Sequence, residues 1–302
     1  MASDSVAFDI SGLKPPFLRL PDRATVFARR AARFAVLARA HSITDYLAFM
    51  GQLSRAQQAA LEDFQAVSLP DAAQLQLCRE HHLPPLGAQG WSRDSAWRDA
   101  LRTILAIIKS DTIPLTRSAI ERLEQADDVR LEAWAGALLS GNFKALDPSF
   151  VPFLAAALQV YWVYMAASLD AAALDRIEAP GLCPVCGSAP VASVVRAQGS
   201  TQGLRYLCCS LCATEWNMVR IKCASCDSSK DVAYFGIEGD NGVVKAEACE
   251  DCKSYLKILY LEKDTQADPT ADDLATLALD VLMANSGMAR SGPNLFLHPG
   301  DG

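Results

Sequence analysis

The stretch Cys183-Pro-Val-Cys186-Gly187 opens the pattern that decides the fold of the C-terminal part of the chain. It holds the first of four CxxC pairs, and nine of the ten cysteines lie between Cys183 and Cys252. Each residue of the third and fourth pairs lies 40 residues after its counterpart in the first and second. This fixed spacing indicates an internal repeat of one structural unit. The pairs are Cys183/Cys186, Cys209/Cys212, Cys223/Cys226 and Cys249/Cys252.

The repeated pairs predict two metal sites with four thiolate ligands each. Each CxxC turn, here called a knuckle, aims two sulfur atoms at one point, and 22 residues in each unit allow a hairpin to return the second knuckle to the first. Gly187 and Asp227 follow the first knuckle of each unit and tolerate positive φ. No histidine lies between residues 181 and 263. We predict two tetrahedral metal ions per chain, each held by four cysteines and each zinc or a single iron, with redox-active dithiols or disulfides as the alternative.

The region after Pro180-Gly181, a boundary signal, predicts short strands and turns. Asn241-Gly242 is a strong hairpin-turn signal. The expected strands cover residues 191–196, 204–207, 215–221, 232–237, 243–246 and 255–261. Metal binding is expected to supply much of the folding energy of such small units, on the order of 10–16 kcal/mol per site in zinc-finger peptides. We predict a first ribbon over residues 180–222 and a second over 223–263, with their two sites rigidly related.

Residues 1–179 are predicted to form an all-helical bundle. Apolar residues between Phe27 and Ala38 recur at helical spacing, and Arg29 and Arg33 are placed on the opposite, solvent-facing side. A capping-box pattern over residues 42–45 is expected to start a second helix. Further helices are expected over residues 95–109, 116–125, 130–139 and 150–169.

The apolar run of residues 151–169 has nearly the length of a membrane span. Pro152, Gln159 and Ser168 interrupt it, and no cluster of lysine or arginine beside it would set an orientation in a membrane. We therefore predict a helix buried inside a soluble bundle, with a membrane span as the alternative.

Residues 264–302 are predicted to hold a C-terminal helix and a tail. The helix is expected from Asp272 to Met283, with the pattern over residues 270–273 as its cap. The tail from Ser291 onward is expected to be irregular. Its apolar triplet, residues 295–297, is expected to dock on a domain surface, because exposing it to water is unfavourable. The predicted whole is a multidomain α plus small β protein.

Composition and the absence of known motifs argue against several classes of function. The 302 residues are 51% apolar and 21% charged, which is typical of a globular chain, and the net charge of −7 with no basic patch argues against nucleic-acid binding. The opening residues 1–10 lack a basic region and an apolar run, so we expect no secretory signal and a location in the reducing cytoplasm. The chain has none of the phosphate-loop, dinucleotide, nucleophile-elbow or HExxH motifs, and we expect a protein that is not an enzyme.

Two further cysteines stand outside the pairs. Cys208 adjoins Cys209 but cannot form a CxxC pair, so a buried spare thiol is favoured over a ligand. Cys78 lies near His81 and His82, a small cluster for which a structural or exposed position is favoured over a third metal site.

The chain resembles the FdhE family of formate dehydrogenase accessory proteins over nearly its full length. The most specific run is Arg205–Trp216, which reads RYLCCSLCATEW. The other matching segments are residues 15–22, 46–49, 56–59, 183–188, 247–252 and 255–257.

The resemblance implies a cytoplasmic protein that is needed for formate dehydrogenase activity and associates with the catalytic subunit before export. It also implies rubredoxin-like units that hold iron at the eight knuckle cysteines, with zinc as the alternative metal. Our hypothesis is a maturation factor that binds this subunit through a rigid pair of ribbons. The alternatives are a rubredoxin-like electron carrier and a nucleic-acid-binding zinc-ribbon protein. The sequence leaves the oligomeric state and the contact surface open.

Overall fold

The helices of the N-terminal part form as predicted, with one addition. The structure, a computed structural model, describes residues 16–110, 113–197 and 199–298. A helix over Ala72–Glu80 was not expected; Asp71 and Gln74 cap it, but none of its residues is buried, so it carries little apolar signal. The helices of this part are α1 Val26–Leu37, α2 Thr44–Glu62, α3 Ala72–Glu80, α4 Ala96–Lys109, α5 Pro114–Glu124, α6 Asp128–Leu139 and α7 Val151–Ala167.

Helix α7 is the centre of the helical core. Fourteen of its 17 residues are buried, among them Trp162 and Tyr161, and it packs against α2, α4 and α6. The prediction of a buried helix is confirmed. Within the described residues, no helix combines the length and the apolarity that crossing a membrane requires.

Two local predictions for α1 and α2 were wrong. Arg33 does not face solvent: it is 7% exposed and its guanidinium pairs with the carboxylates of Asp272 and Asp264. Asp272 comes from the C-terminal region, so the α1 pattern alone could not reveal this pairing. The expected capping box over residues 42–45 does not form, because α2 begins at Thr44, whose hydroxyl donates to the carbonyl of His41.

The ribbons share one sheet. Among the described residues the strand order is β1-β4-β3-β2-β7-β6-β5, and β8 pairs with β7. The parallel pairing of β2 with β7, with Ser193 opposite Ile258, joins the two repeats, and the other neighbours along this order are antiparallel. The strands are β1 Leu18–Arg19, β2 Pro190–Val195, β3 Arg205–Cys209, β4 Glu215–Asn217, β5 Val232–Phe235, β6 Val244–Cys249, β7 Ser254–Tyr260 and β8 Ala289–Arg290.

The expected turn at Asn241-Gly242 lies in the connection between β5 and β6. Gly242 has φ +66°, and the Asn241 side chain accepts a hydrogen bond from the Val243 N–H. The division into units 1–179, 180–222, 223–263 and 264–302 stays a prediction about how the chain folds.

The C-terminal region holds two short helices where one was predicted. These are α8 Pro269–Ala275 and α9 Leu277–Asn285. The break falls at Thr276, whose hydroxyl donates to the carbonyl of Asp272 and so competes with the helical hydrogen bonds. Asp268, and not the expected pattern from Thr270, caps α8 by accepting two backbone N–H groups.

The C-terminal tail docks as predicted. Leu295 and Phe296 are buried in the main apolar core, and Leu297 packs against it. The Asn294 amide donates to the Asp273 carboxylate and ties the tail to α8. Residues 1–15 and residues 299–302, the end of the tail that was expected to be irregular, lie outside the described residues.

Candidate metal centres

The eight knuckle cysteines gather in two groups of four. The first cluster is Cys183, Cys186, Cys209 and Cys212, and the second cluster is Cys223, Cys226, Cys249 and Cys252. Within each cluster the four Sγ atoms all lie within 4.8 Å of one another. The knuckle residues that the sequence predicted to converge therefore do converge, in the predicted sets.

In the first cluster, one knuckle precedes β2 and the other follows β3. The Sγ atoms of Cys183 and Cys212 lie 3.5 Å apart, and those of Cys186 and Cys209 lie 3.3 Å apart. Gly187 adopts φ +72°, the left-handed conformation expected after the knuckle. This turn reverses the chain into β2, while the β3 hairpin returns the second knuckle to the same point.

In the second cluster, the same arrangement is repeated around β6. Sγ–Sγ distances are 3.7 Å between Cys223 and Cys252 and 3.8 Å between Cys226 and Cys249. Asp227 adopts φ +58°, as predicted for the residue that replaces glycine. The 40-residue repeat in the sequence is thus a repeat of local geometry.

The spacing of the sulfur atoms suits a metal ion. A tetrahedral site with metal–sulfur bonds of about 2.3 Å has sulfur–sulfur edges of about 3.8 Å, close to the values in both clusters. A disulfide would require about 2.05 Å, and all ten cysteines are free thiols. Four thiols in this geometry match the donor set of zinc or a single iron ion, and the geometry favours neither.

Ionisation of the thiols within each cluster is coupled. Burial raises the pKa of Cys183 well above its usual value. Burial acts the same way on Cys186, but hydrogen bonds from neighbouring thiols outweigh it and hold the pKa well below the usual value. In the second cluster the Ser254 hydroxyl and the other thiols bring the pKa of Cys252 down to about 7 against the effect of burial. A bound cation would stabilise the thiolate form of all four ligands in a cluster.

Sequence reasoning missed the hydroxyls beside the last cysteine of each cluster. The Thr214 Oγ1 atom lies 3.1 Å from Cys212 Sγ, and the Ser254 Oγ atom lies 3.0 Å from Cys252 Sγ. These hydroxyls stand 40 residues apart, as do the left-handed residues Ala213 and Lys253 before them. Applying the repeat to positions other than cysteine would have found them.

The two cysteines outside the CxxC pairs belong to neither cluster. Cys208 is buried, and burial raises its pKa to about 12, so it is a protonated spare thiol as predicted. Cys78 is half-buried and belongs to neither cluster. Trp216 and Tyr206 are buried core residues, and the Trp216 indole N–H donates to the carbonyl of Pro180.

The boundary glycine lets the chain pass close to the second cluster. A Cβ on Gly181 would lie 1.9 Å from the carbonyl oxygen of Ala224, which is inside a knuckle. We expect Gly181→Ala to lower the free energy of unfolding by about 1–3 kcal/mol through overpacking. Gly90→Ala is the control, since a Cβ there meets nothing within 4 Å. Thermal melting of both variants checks this, and equal melting temperatures would contradict the close approach.

Together, a helical bundle and a shared sheet with two four-cysteine clusters define a tandem-ribbon protein with a helical N-terminal domain. Three family models match the chain: "FdhE, N-terminal" over residues 15–179, "FdhE, central domain" over 182–220 and "FdhE, C-terminal domain" over 221–297. The chain belongs to the FdhE family.

Named relatives match over most of their length. "Protein FdhE homolog" of Pseudomonas aeruginosa is 45% identical over 95% of this chain and 94% of that protein. "Protein FdhE" of Salmonella arizonae is 42% identical over 95% of this chain and 93% of that protein. The crystal structure of the FdhE protein from Pseudomonas aeruginosa has a TM-score of 0.87 and 44% identity, covering 95% of this chain and 100% of that one.

Proposed function

We propose that this protein is a maturation factor that binds the catalytic subunit of a formate dehydrogenase in the cytoplasm and performs no catalysis itself. Membership of the FdhE family over nearly the whole chain carries this proposal and supports an accessory role for formate dehydrogenase. The two clusters on one sheet add a rigid surface suited to recognition.

In this proposal the eight knuckle cysteines are metal ligands. Sulfur–sulfur distances of 3.3 and 3.5 Å in the first cluster, and of 3.7 and 3.8 Å in the second, support a tetrahedral ion in each. The resemblance favours iron, and zinc is the alternative. The bound ions would hold the knuckles together, and a single iron could also exchange one electron.

We place the contact surface around the second cluster, where apolar side chains face solvent. Val219 is 57% exposed, Ile221 64% and Tyr234 39%. The Tyr234 hydroxyl donates to the carbonyl of Arg220, so β5 and the segment before Cys223 form one surface. Exposed apolar side chains grouped in this way are typical of protein-binding sites.

Capture of the catalytic subunit tests this surface. We expect Ile221→Asp to weaken binding of the purified subunit by at least about tenfold, because it would bury a charge at the centre of an apolar contact. Binding is measured by calorimetry with the separately purified subunit.

Val129→Asp is the matched control. Val129 is 80% exposed on α6, in the helical part of the chain, and its replacement is expected to leave capture unchanged. Equal loss in both variants would contradict the proposed surface, and failure of the wild-type protein to bind the subunit would contradict the proposed function.

A further inference from the structure

The two clusters differ sharply in solvent access. In the first cluster the four cysteines are 0%, 1%, 4% and 0% exposed. In the second, Cys226 is exposed and Cys252 is half-buried, while Cys223 and Cys249 are buried. The repeat therefore places equivalent ligands in different surroundings.

The first cluster is enclosed by the helical bundle. The N–H groups of Leu86 and Ala88, in the loop before α4, donate to the carbonyls of Val185 and Cys186 at 2.8 and 2.9 Å. On the other side the Gln159 amide of α7 donates to the carbonyl of Ser210 at 2.7 Å. All four cysteines of the cluster belong to the main apolar core. The enclosing bundle and the burial of all four cysteines therefore restrict the access of an incoming ligand to these sulfur atoms.

The knuckles of the second cluster are bordered by exposed polar contacts. Lys222 pairs with Asp227 across the first knuckle at 2.6 Å, and both side chains are more than 40% exposed. The Ser228 hydroxyl donates to the Asp251 carboxylate, which links the two knuckles at the surface. Exposed pairs of this kind contribute little stability. Ala224 of this knuckle packs against the main core, but Cys226 itself is exposed, so its bond to a metal can break with only these weak surface contacts to rearrange.

We propose that the second cluster is an exchangeable metal site, open to a soft thiolate donor, and that the first cluster holds its ion permanently. This inference rests on the proposed function only in that both clusters bind metal. Exchange begins when the incoming thiolate forms a bond to the metal and the bond from the metal to Cys226 Sγ breaks. The released Cys226 thiolate takes a proton from solvent, and no atom is oxidised or reduced. Cys252 is displaced next, since it is the second most accessible ligand.

The full-length protein, loaded with two equivalents of zinc, is challenged with the dithiolate chelator 2,3-dimercaptopropanesulfonate. After desalting, a short pulse of iodoacetamide labels the free thiols, and mass spectrometry locates them. We expect one of the two zinc equivalents to leave, with label appearing at Cys226 and Cys252 before any cysteine of the first cluster. Release of both ions together, release of neither, or label appearing first at Cys183 or Cys186 would overturn the proposal.

The chain supplies its own controls. Cys208 is a buried thiol outside both clusters and stays unlabelled while the fold is intact. Cys78 is half-buried, also outside the clusters, and is labelled at the same rate with or without chelator. Label at Cys208 accompanying the release of zinc would show that exchange proceeds by unfolding and would overturn the proposal.

A matched pair of variants gives a second readout. Cys186 and Cys226 are the equivalent ligands of the two repeats. Cys226→Ser is expected to hold one zinc equivalent and keep the wild-type circular dichroism spectrum, whereas Cys186→Ser loses the native spectrum. The same loss in both variants would contradict the division between the sites. Neither measurement involves binding to the catalytic subunit. The result can therefore be interpreted even if the proposed function is wrong.

Discussion

Replacement of Cys209 by serine is expected to abolish the cooperative fold of the whole chain. Its sulfur lies 3.3 Å from Cys186 Sγ in a cluster that is part of the main apolar core. A structural four-thiolate zinc site contributes about 10–16 kcal/mol in zinc-finger peptides, which matches or exceeds the roughly 5–15 kcal/mol of net stability in an ordinary domain. Losing one of the four ligands removes much of that energy. Thermal melting followed by circular dichroism, together with metal analysis, measures the effect.

The adjacent cysteine is the control for Cys209→Ser. Cys208 is also buried, but it belongs to neither cluster. Cys208→Ser is expected to cost only about 1–3 kcal/mol, the penalty for burying a hydroxyl, and to leave two metal ions per chain. If the two variants melted alike, the ligand role of Cys209 would be wrong and its contribution would be that of packing alone.

Replacement of Arg33 by methionine is expected to lower the free energy of unfolding by about 3–5 kcal/mol, because it leaves the buried carboxylate of Asp272 without its positive partner. Arg33 Nε donates to Asp272 Oδ2 at 2.8 Å, and Asp272 is only 3% exposed. Burial already raises the pKa of Asp272 while Arg33 opposes the rise. Without Arg33 the pKa rises further, so the loss of stability should shrink as the pH falls through it and protonation removes the charge. Urea unfolding at several pH values checks both effects.

Arg29 lies one turn earlier on the same helix and is exposed. Arg29→Met is therefore expected to change the stability by no more than about 0.5 kcal/mol. If Arg33→Met changed the stability as little as Arg29→Met, the ion pair between Arg33 and Asp272 would not stabilise the contact of the helical bundle with the C-terminal region.

The cysteine pattern predicted the candidate site closely because its chemistry is local. A CxxC knuckle needs only a short turn and a tolerant position after it, and the exact repeat of 40 residues identified the partners in each cluster. Helix α7 was equally predictable, since a long apolar run with a few interrupting polar residues has few other stable positions.

The long-range pairings could not be predicted from the sequence, for a physical reason. Nothing in the local pattern of β2 selects β7 as its parallel neighbour, and the distance from Ser193 to Ile258 along the chain makes this choice a matter of tertiary packing. Arg33 looked like a surface residue because its partner Asp272 lies 239 residues away. The difference in exposure between the clusters arises in the same way, from the contacts that enclose the first cluster within the helical bundle.

The central claim is that each four-cysteine cluster binds one metal ion. Counting the metal ions in the anaerobically purified protein and identifying their ligands tests this claim most directly. Elemental analysis combined with X-ray absorption at the metal edge should give two ions per chain, each surrounded by four sulfur atoms at about 2.3 Å. The same measurement separates iron from zinc. A metal-free protein, an ion bound through oxygen or nitrogen, or knuckle cysteines joined as disulfides would contradict the account.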